Sequence, residues 1–305
     1  MKVLVTGGAG FIGSNLVDTL IKAGHNVFVV DNLSTGNKLN LNKRAKFYET
    51  DICDKIELQK IFDIEKPETI FHLAAQANVS ASVKDPAFDI KVNVIGTINL
   101  LELCRDFSVK KFVFSSTGGA IYGENAPRPT PETAKEYPLT PYGMDKLQAE
   151  KYIEFFAKNF EMKPVILRYA NVYGPRQNSH GEAGVIAIFT AKMLANESYQ
   201  LYGDGEQTRD FVYVSDVVDA NLKALEFSST GIFNIGSGKE TSINEITGIL
   251  KKITQTSVEP TIKPAKLEQR CSCLDSSLAQ KTLDWHPTIS IEEGMKKTVA
   301  FYKNY

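Results

Sequence analysis

A tyrosine and a lysine are spaced so that they could act together in acid–base chemistry. Tyr142 and Lys146 stand four positions apart in the segment TPYGMDK. Thr140 suits an N-cap and Pro141 the first helical position, so the pair would share one helix face. An ammonium group favours the phenolate and lowers the pKa of a nearby phenol. We therefore predict that Tyr142 is a general base near neutral pH, although such a pair alone usually lies on a solvated helix face.

Hydroxyl side chains precede this pair in the sequence. Residues 111–115 form an apolar run that predicts a buried strand, and SSTGGAIYG extends from its end at Ser115 to Gly123. The carboxyl ends of strands in an open parallel sheet face the cleft where ligands bind. We predict that Thr117 or Ser116 shares the proton of a substrate hydroxyl with Tyr142.

The first thirteen residues, MKVLVTGGAGFIG, predict a strand, a glycine turn and the start of a helix. Glycines fall at Gly7, Gly10 and Gly13, and the run also fits a spacing that starts at Gly8. Missing side chains let the backbone approach a pyrophosphate, and a helix N-terminus supplies free N–H groups and partial positive charge. Without further context, the same turn could merely pack a helix on a strand.

The context favours a dinucleotide. A second apolar run, residues 27–30, ends in Asp31, about twenty residues past the glycines, where a carboxylate can bind an adenosine ribose. Residues 32–37 contain no arginine or lysine for a 2′-phosphate, which Asp31 would also repel. The sequence therefore predicts NAD rather than NADP, and its positive nicotinamide would also lower the pKa of Tyr142. A third strand, residues 46–50, precedes Asp51 and Ile52, which could bracket the adenine.

The remaining elements predict an α/β fold, a Rossmann-type doubly wound parallel sheet with a smaller interleaved α/β substrate domain. The strands are nearly all apolar, as expected for a parallel sheet covered on both faces. Further strands are predicted at residues 69–75, 163–169, 201–205, 211–214 and 231–236. Helices are predicted at residues 55–64, 86–105, 139–160, 185–195 and 215–227, with two more helical patterns and a prolyl linker in 241–305. We expect an NAD-binding domain of residues 1–168 plus about 211–234, and a substrate domain of residues 169–210 plus 235–305.

Composition argues against several other classes of protein. The 305 residues carry a formal net charge of −1, so no basic excess indicates a nucleic-acid partner. The chain enters its first predicted strand without a signal peptide, and no apolar run reaches membrane-spanning length, so we expect a cytoplasmic enzyme without a membrane partner. The cysteines lack a CxxC motif and the four histidines lack ligand spacing, so we expect reduced thiols and no metal site.

Several motifs in order along the chain resemble the extended short-chain dehydrogenase/reductase family, and within it the nucleotide-sugar 4-epimerases. They are TGGAGFIG, HLAA, SSTGGAIYG, PYGMDK and RYANVYGP, and the likeness is strongest over residues 1–176. The resemblance implies catalysis by Tyr142, Lys146 and Thr117, with Ser116 as neighbour. It implies that Tyr142 deprotonates the C4 hydroxyl of a UDP-sugar while hydride passes from C4 to tightly bound NAD and returns to the other face. UDP-glucose and UDP-galactose, and also the N-acetylated pair, are the expected substrates.

The same resemblance, added to the patterns above, assigns the binding residues. The predicted cofactor-binding residues are Gly7, Gly10, Phe11, Ile12, Gly13, Asp31, Asn32, Ser34, Gly36, Asp51, Ile52, Leu73, Ala74, Ala75, Asn93, Ser115, Tyr142, Lys146, Tyr169 and Val172. The predicted substrate-binding residues are Thr117, Gly118, Tyr142, Asn171, Val185, Arg209, Arg270 and Ser272.

Three of the substrate-binding assignments carry specific expectations. Arg209 would pair with a diphosphate, for which a guanidinium fork is well suited, and the alternative is a surface ion pair with Asp210. Where relatives have a second phosphate-binding arginine, this chain reads AKLE at 265–268, so Lys266 or Arg270 is the candidate replacement. Ser272 matches a position that limits the size of the C2 substituent, and its small side chain predicts that N-acetyl sugars fit.

Other members of the resembled family remain alternatives. Its dehydratases and decarboxylases carry an acid beside the catalytic Ser/Thr, whereas Thr117 is followed by two glycines and no acid before Glu124, which favours epimerisation. A 4,6-dehydratase, a dehydrogenase that releases reduced cofactor and a non-catalytic NAD-binding scaffold stay open, the last disfavoured by an intact Thr117, Tyr142 and Lys146. The nucleotide could be uridine or deoxythymidine. Relatives dimerise through the helices predicted at 86–105 and 139–160, so a homodimer is expected.

Overall fold

The computed structural model describes residues 1–179, 184–265 and 269–304. Its strands are β1 (Lys2–Thr6), β2 (Asn26–Asp31), β3 (Lys46–Glu49), β4 (Thr69–His72), β5 (Lys111–Thr117), β6 (Lys163–Tyr169), β7 (Asn171–Tyr173), β8 (Gln200–Tyr202), β9 (Thr208–Tyr213), β10 (Gly231–Ile235), β11 (Glu240–Ser242) and β12 (Thr261–Lys263). Its helices are α1 (Phe11–Lys22), α2 (Lys55–Glu65), α3 (Val79–Lys84), α4 (Pro86–Ile90), α5 (Gly96–Asp106), α6 (Gly118–Ile121), α7 (Pro141–Asn159), α8 (Val185–Leu194), α9 (Val214–Glu226), α10 (Ile243–Thr254), α11 (Ser277–Leu283) and α12 (Ile291–Lys303).

Seven strands form one parallel sheet in the order β10-β6-β5-β4-β1-β2-β3. The chain runs outward from β1 to β3 and then crosses back to β4 on the other side of β1. This reversal confirms the doubly wound Rossmann-type fold, and it places a topological switch point between the ends of β1 and β4. The glycine turn and the predicted catalytic segments follow strands on either side of that point.

Apolar layers cover both faces of this sheet. Val3 and Val5 of β1 belong to one hydrophobic cluster, which includes buried residues of α1 and α9. Leu4 belongs to the other, which includes residues of α2, α5 and α7. Alternate side chains of a strand point to opposite faces, so one fully buried strand supplies both layers. The sheet is therefore rigid on both sides, and its carboxyl edge is available to position functional groups.

The smaller part of the molecule has its own sheets and its own core. β9 pairs with β7 and β11 in a three-stranded sheet, and β8 pairs with β12. A third hydrophobic cluster includes residues of α8, α10 and α12. The predicted domain boundary at residue 211 would cut β9, so a boundary after Tyr213 fits the pairing better. β10 returns to the large sheet beside β6.

The long helix predicted at residues 86–105 is present and contains a π-helical turn. α3 ends at Lys84, and Asp85 then caps α4 by accepting a hydrogen bond from the Phe88 N–H at 2.9 Å. A π-helical turn, Lys91–Ile95, joins α4 to α5. The prediction missed α3, α6, α11, β7, β11 and β12, which are too short to show a clear periodicity. Along the described ranges, no helix has both the length and the apolar character needed to cross a membrane.

Candidate active site

The glycine turn after β1 is shaped by close backbone contacts. Gly7 has a φ of +70°, and a Cβ there would lie 2.7 Å from the Ala74 nitrogen. A Cβ on Gly13 would lie 2.1 Å from the Gly7 carbonyl oxygen. Both positions therefore require glycine, one to pack the turn against the segment after β4 and the other to pack α1 against the turn.

The N-terminus of α1 is suited to an anion. Gly10 is the N-cap, no side chain among the described residues caps the helix, and its first turn contains no acidic residue. The N–H groups of Phe11 and Ile12 therefore have no competing carboxylate from their own helix. Helix N-termini of this kind bind phosphate groups through orphan N–H groups and the helix dipole.

Backbone amides hold the acid at the end of β2 in place. The buried Asp31 carboxylate accepts hydrogen bonds from the Ala9 N–H at 2.9 Å and the Leu33 N–H at 2.8 Å. A Cβ on Gly36 would lie 2.8 Å from Asp31 Oδ1, so the loop that follows passes close to the carboxylate. A carboxylate has about four acceptor positions, so Asp31 retains capacity for a ribose hydroxyl pair.

A second acid lies at the end of β3. Asp51 accepts hydrogen bonds from the Cys53 N–H at 2.8 Å and from Asn32 Nδ2 at 2.9 Å. Burial opposes ionisation of Asp51, but these hydrogen bonds outweigh it and lower the pKa of the carboxyl. Asn32 also accepts a hydrogen bond from the Ser34 N–H at 3.0 Å. Ile52 is buried, with α5 beginning directly against it at Gly96. These predicted cofactor residues therefore form one connected loop system.

The end of β4 is tied to β1 and to the π-helical turn. The Leu73 N–H donates to the Thr6 carbonyl and the Ala74 N–H to the Thr6 hydroxyl, each at 3.2 Å; Ala75 follows directly. Asn93, which is buried, accepts from the Gln76 N–H at 3.0 Å and donates to the Gln76 carbonyl at 2.9 Å. Its amide also donates to Asp89 at 3.1 Å, so both of its donors are occupied. Asn93 therefore holds this loop, and its role as a cofactor ligand stays a prediction.

The predicted catalytic pair, Tyr142 and Lys146, lies on α7, which begins where the sequence predicts. Thr140 caps the helix by accepting a hydrogen bond from the Gly143 N–H at 3.3 Å, and Pro141 is its first residue. Lys146 is buried, and its ammonium donates to the Ser115 carbonyl at 2.8 Å and lies 4.6 Å from the centre of the Phe114 ring. Burial lowers the pKa of Lys146 to about 8, against the opposing charges of two carboxylates described below.

The Tyr142 phenol faces the end of β5, where the Thr117 side chain is its hydrogen-bond partner. The prediction that Lys146 lowers the pKa of Tyr142 is wrong for the protein without a ligand. Burial and the negative charge of Asp89 raise the pKa of Tyr142 to about 12, and the Thr117 hydrogen bond opposes them only in part. The reason is geometric: the ammonium of Lys146 is directed to the Ser115 carbonyl.

A buried hydrogen-bond chain joins the ends of β5 and β6. Ser115 Oγ lies 3.1 Å from the Tyr169 hydroxyl, which also accepts a hydrogen bond from Asn221 Nδ2 at 2.8 Å. Burial raises the pKa of Tyr169 to about 12. Val172, in the adjacent strand β7, is half-buried. Tyr169 therefore lies beside the catalytic strand as a neutral phenol.

The predicted substrate residues come from three separate segments. Asn171 and Thr117 face the same turn, because a Cβ on Gly119 would lie 3.7 Å from Asn171 Oδ1 and 3.9 Å from Thr117 Oγ1. A Cβ on Gly118 would lie 2.5 Å from the Leu274 side chain, so the segment before α11 packs on this turn. Ser272 is buried in that segment, and its N–H donates to the Thr208 carbonyl at 3.2 Å. Val185 is the first residue of α8 and is half-buried.

Arg209 and Arg270, the two predicted phosphate-binding arginines, lie close together. Arg209 Nη1 donates to the carbonyl oxygens of Thr208 at 2.8 Å and Arg270 at 3.1 Å. The alternative of an ion pair with Asp210 does not hold, because the buried Asp210 carboxylate accepts hydrogen bonds from Ser237, Gly238 and Leu274. The exposed Arg270 side chain pairs with Asp204 at 2.9 Å. The other candidate, Lys266, lies outside the described residues.

Comparisons with known proteins identify the family. A model of the NAD dependent epimerase/dehydratase family matches residues 3–236. The chain belongs to this family. A crystal structure of UDP-glucose 4-epimerase with UDP-glucose from Thermotoga maritima is 53% identical, covers 100% of this chain and 99% of that chain, and superimposes with a TM-score of 0.98. The Thermus thermophilus UDP-glucose 4-epimerase complex with NAD is 41% identical, covers 99% of each chain and has a TM-score of 0.95. The UDP-glucose 4-epimerase of Mycolicibacterium smegmatis is 42% identical over 311 residues, covering 100% of this chain and 99% of the relative.

The residues of this epimerase/dehydratase family member fit NAD. The glycine turn and the uncapped start of α1 suit a pyrophosphate, and Asp31 suits an adenosine ribose without a 2′-phosphate. Lys38, the first cation after Asp31, is paired with Glu49 at 2.8 Å. Within the described ranges, no group of three or more His, Cys, Asp or Glu side chains could hold a metal ion, and the four cysteines are free thiols.

One catalytic assignment needs correction. The Ser116 hydroxyl donates to the Glu150 carboxylate, on the face of β5 opposite Ser115 and Thr117. Ser116 therefore cannot share a proton with Tyr142 in this arrangement, which leaves Thr117 for that role. Sequence reasoning missed Glu150 itself. A charged residue at the end of the otherwise apolar run of β6, in RYANVYGP, was the one signal that a buried partner existed.

Proposed function

We propose that this protein interconverts UDP-glucose and UDP-galactose, the step that links galactose to glucose metabolism. The observation that carries the proposal is the contact between the Tyr142 phenol and the Thr117 side chain, beside the buried Lys146 and at the same sheet edge as the glycine turn. NAD, held by the glycine turn and Asp31, would supply the acceptor for a hydride from C4 of the sugar and the donor for its return. The family and the names of the similar structures support this proposal.

The chain's own groups account for the proton. Thr117 orients the C4 hydroxyl toward the phenol of Tyr142, which accepts the proton and later returns it. In the protein alone, burial and Asp89 keep the phenol protonated. The positive charge of a bound nicotinamide would oppose both effects and favour phenolate. Lys146, fixed to the Ser115 carbonyl, places a second positive charge in the same buried region.

The turn after Thr117 favours epimerisation over dehydration. Gly118 begins α6 and has no space for a side chain because Leu274 packs on it. The next acid, Glu124, accepts a hydrogen bond from the Arg270 N–H at 2.9 Å and so belongs to the loop contact on the other side. A general acid for loss of water at C5 and C6 would need a carboxyl beside Thr117.

The test is a turnover assay without added cofactor. Purified protein is incubated with UDP-galactose, products are resolved by NMR, and the solution is monitored for absorbance of free NADH. We expect UDP-glucose and no NADH. Tyr142→Phe should reduce turnover by about 10²- to 10⁴-fold. Tyr152→Phe, the same change at a more exposed position of α7, should leave turnover unchanged.

Absence of product with added NAD would contradict the proposal. A panel of UDP- and dTDP-sugars would then be examined for loss of water, which would identify a dehydratase. Release of NADH would instead identify a dehydrogenase. Loss of activity in both tyrosine variants would show that the assay does not isolate the phenol.

We also propose that N-acetylated UDP-sugars are substrates. Ser272 is small and buried beside Thr208 in the segment that packs on Gly118. Turnover of UDP-N-acetylglucosamine at a rate comparable with UDP-glucose is expected, and Ser272→Tyr should reduce only the former. Turnover of UDP-glucose without any turnover of UDP-N-acetylglucosamine would contradict this proposal.

The remaining assignments are proposals about assembly and location. We propose a homodimer, because large apolar side chains on α3, α4 and α7 are exposed, namely Val83, Phe88, Ile90, Met144 and Phe155. Sedimentation equilibrium should give twice the chain mass, and Phe155→Lys should give the monomer.

We further propose that residues 1–168 plus 214–234 bind NAD while the rest bind the UDP-sugar, and that the enzyme acts in the cytoplasm. Its four free thiols support that compartment.

A further inference from the structure

A buried carboxylate lies behind the catalytic pair. Glu150 is on α7, one helical turn after Lys146 and two after Tyr142, and it is completely buried. Its oxygens accept a hydrogen bond from Ser116 on β5 and a bidentate pair from Arg168 on β6, with Arg168 Nη2 at 2.6 Å and Nε at 3.0 Å. Glu150 therefore joins the catalytic helix to two adjacent strands through charge-assisted hydrogen bonds.

The guanidinium of Arg168 is held on its other sides as well. Its Nη1 donates to the Tyr122 hydroxyl at 2.8 Å, and its Nη2 donates to Glu136 at 2.9 Å. Tyr122 in turn donates to Asn234 on β10 at 2.9 Å. A buried ion pair is costly unless its hydrogen bonds are satisfied, and here they are satisfied by groups from several elements. The position of Glu150 is consequently fixed by the sheet.

The hydrogen bond from Ser116 to Glu150 lies on β5 between Ser115 and Thr117, the two residues that contact Lys146 and Tyr142. Ser115 on one side supplies the carbonyl that accepts a hydrogen bond from Lys146, and Thr117 on the other contacts Tyr142. A shift of α7 along β5 would therefore have to break the Ser116–Glu150 hydrogen bond. Together with the hydrogen bond from Lys146 to the Ser115 carbonyl, this contact ties α7 to β5 beside both catalytic side chains.

We propose that Glu150, held by Arg168, is a positioning residue that fixes α7 on β5 and so holds Lys146 at the Ser115 carbonyl. The inference rests on the proposed epimerase function for its kinetic test. Glu150 contacts neither the sugar-facing hydroxyl of Thr117 nor the phenol of Tyr142, so it acts through Lys146 and through the strand.

The charges around Lys146 support this role. Glu150 on its own helix and Asp89 on α4 are the carboxylates whose charges raise the pKa of Lys146 against burial. Asp89 is in hydrogen-bond contact with Asp145, next to Lys146 in sequence, and burial with this contact raises the pKa of Asp145 to about 7. His72 on β4 faces Lys146 as a neutral ring, because burial and the lysine charge hold the pKa of His72 well below its usual value. Glu150 is thus the carboxylate near Lys146 that is paired with an arginine.

The test compares two glutamates that bind the same arginine. Glu150→Gln removes the charge near Lys146 while keeping an acceptor for Ser116 or Arg168. Glu136→Gln is the matched control, because Glu136 also pairs with Arg168 but is not among the groups that act on Lys146. Removing a negative charge lowers the pKa of a lysine. The alkaline limb of kcat should therefore move to lower pH by about one unit in Glu150→Gln, with KM for UDP-galactose changed less than twofold.

The pKa of Lys146 can also be measured without turnover. NMR titration of the Lys146 side chain in the purified protein should show a lower midpoint in Glu150→Gln and an unchanged one in Glu136→Gln. An unchanged midpoint in a folded Glu150→Gln, or an equal shift in both variants, would overturn the proposal. If the wild type lacks epimerase activity, the proposed function fails while this titration still decides the role of Glu150.

A second variant covers the case in which Glu150→Gln does not fold. Glu150→Asp keeps the charge but shortens the side chain, so its contacts with Ser116 and Arg168 lengthen. We expect kcat to fall at least fivefold, with the alkaline limb and KM close to those of the wild type. A wild-type kcat in this variant would show that Glu150 does not position the catalytic helix.

Discussion

Backbone contacts hold the glycine turn in position, whereas buried charged side chains hold the catalytic helix α7 in position. At the turn, Gly7 and Gly13 leave space for other backbone atoms, and Asp31 is held by two amide N–H groups. On α7, Lys146 is held by a carbonyl and Glu150 by the guanidinium of Arg168. The turn is therefore sensitive to added volume, and the helix is sensitive to lost charge or hydrogen bonds.

The strongest test of this contrast lies on β5, where adjacent hydroxyls face opposite ways. Thr117→Val should lower turnover on the order of 10²-fold, because it removes the partner of Tyr142 with little change in volume. Ser116→Ala should lower turnover about fivefold, because α7 loses one of its contacts with β5, and it should lower the free energy of unfolding by about 1 to 3 kcal/mol, because Glu150 loses a buried hydrogen bond. Steady-state kinetics and urea unfolding of both variants measure the two effects. Equal losses of turnover would show that the strand faces do not divide the roles in this way.

An added methyl group should break the turn. Gly13→Ala places a Cβ 2.1 Å from the Gly7 carbonyl oxygen, so the turn must shift. We expect a loss of about 1 to 3 kcal/mol in the free energy of unfolding and a loss of NAD from the purified protein. Cofactor content after denaturation and thermal unfolding measure both.

The control for that change is the same substitution in α10. A Cβ on Gly248 meets no other atom within 4 Å, so Gly248→Ala should retain NAD. The alanine should also stabilise the helix by about 0.5 to 1 kcal/mol. Loss of NAD in this variant would mean that cofactor content does not report on the turn.

The smallest expected effect concerns the acid pair beside the helix. The pKa of Asp145 is raised to about 7 by burial and by its contact with Asp89. A raised folded-state pKa gives stability that is complete below the unfolded value and is lost as the pH rises through the folded value. The free energy of unfolding should therefore fall, on the order of 1 kcal/mol, between about pH 5 and pH 8.

Two asparagine variants isolate this titration. Asp145→Asn should remove that part of the pH dependence, whereas Asp63→Asn, on the exposed side of α2, should retain it. Urea unfolding at both pH values measures the difference. The same slope in wild type and Asp145→Asn would assign the pH dependence to other groups.

The same contrast explains what could be predicted from the sequence. The glycine turn and the start of α7 depend on neighbours within a few positions, and Thr140 with Pro141 marks the helix start in the chain itself. The pairing of Glu150 with Arg168 depends on β5 and β6 being adjacent and on which face each residue occupies. No local sequence pattern predicts such a contact. Its one signal in the sequence was Arg168, a charged residue inside the apolar run of β6.

Side-chain direction was also beyond the sequence. The i, i+4 spacing placed Tyr142 and Lys146 on one helix face, but burial and the Ser115 carbonyl decide where the ammonium lies. The shift predicted for the pKa of Tyr142 therefore had the wrong direction for the protein alone. Likewise, the hydrogen bonds of Asn93 to Gln76 depend on the π-helical turn, which no local sequence pattern predicts.

The late position of β10 in the chain has a consequence for synthesis on the ribosome. β6 is complete at Tyr169, but its neighbour β10 begins at Gly231 and is separated from it by β7, β8 and β9 of the smaller sheets. At about 5 to 20 residues per second, the edge of β6 stays without its partner strand for several seconds in the nascent chain. Asn234, which joins the Tyr122–Arg168 network, arrives with β10. The charged cluster behind the catalytic helix therefore closes only after the first segment of the second domain, residues 169–213, has been translated, and an exposed strand edge during that interval is a site where nascent chains associate.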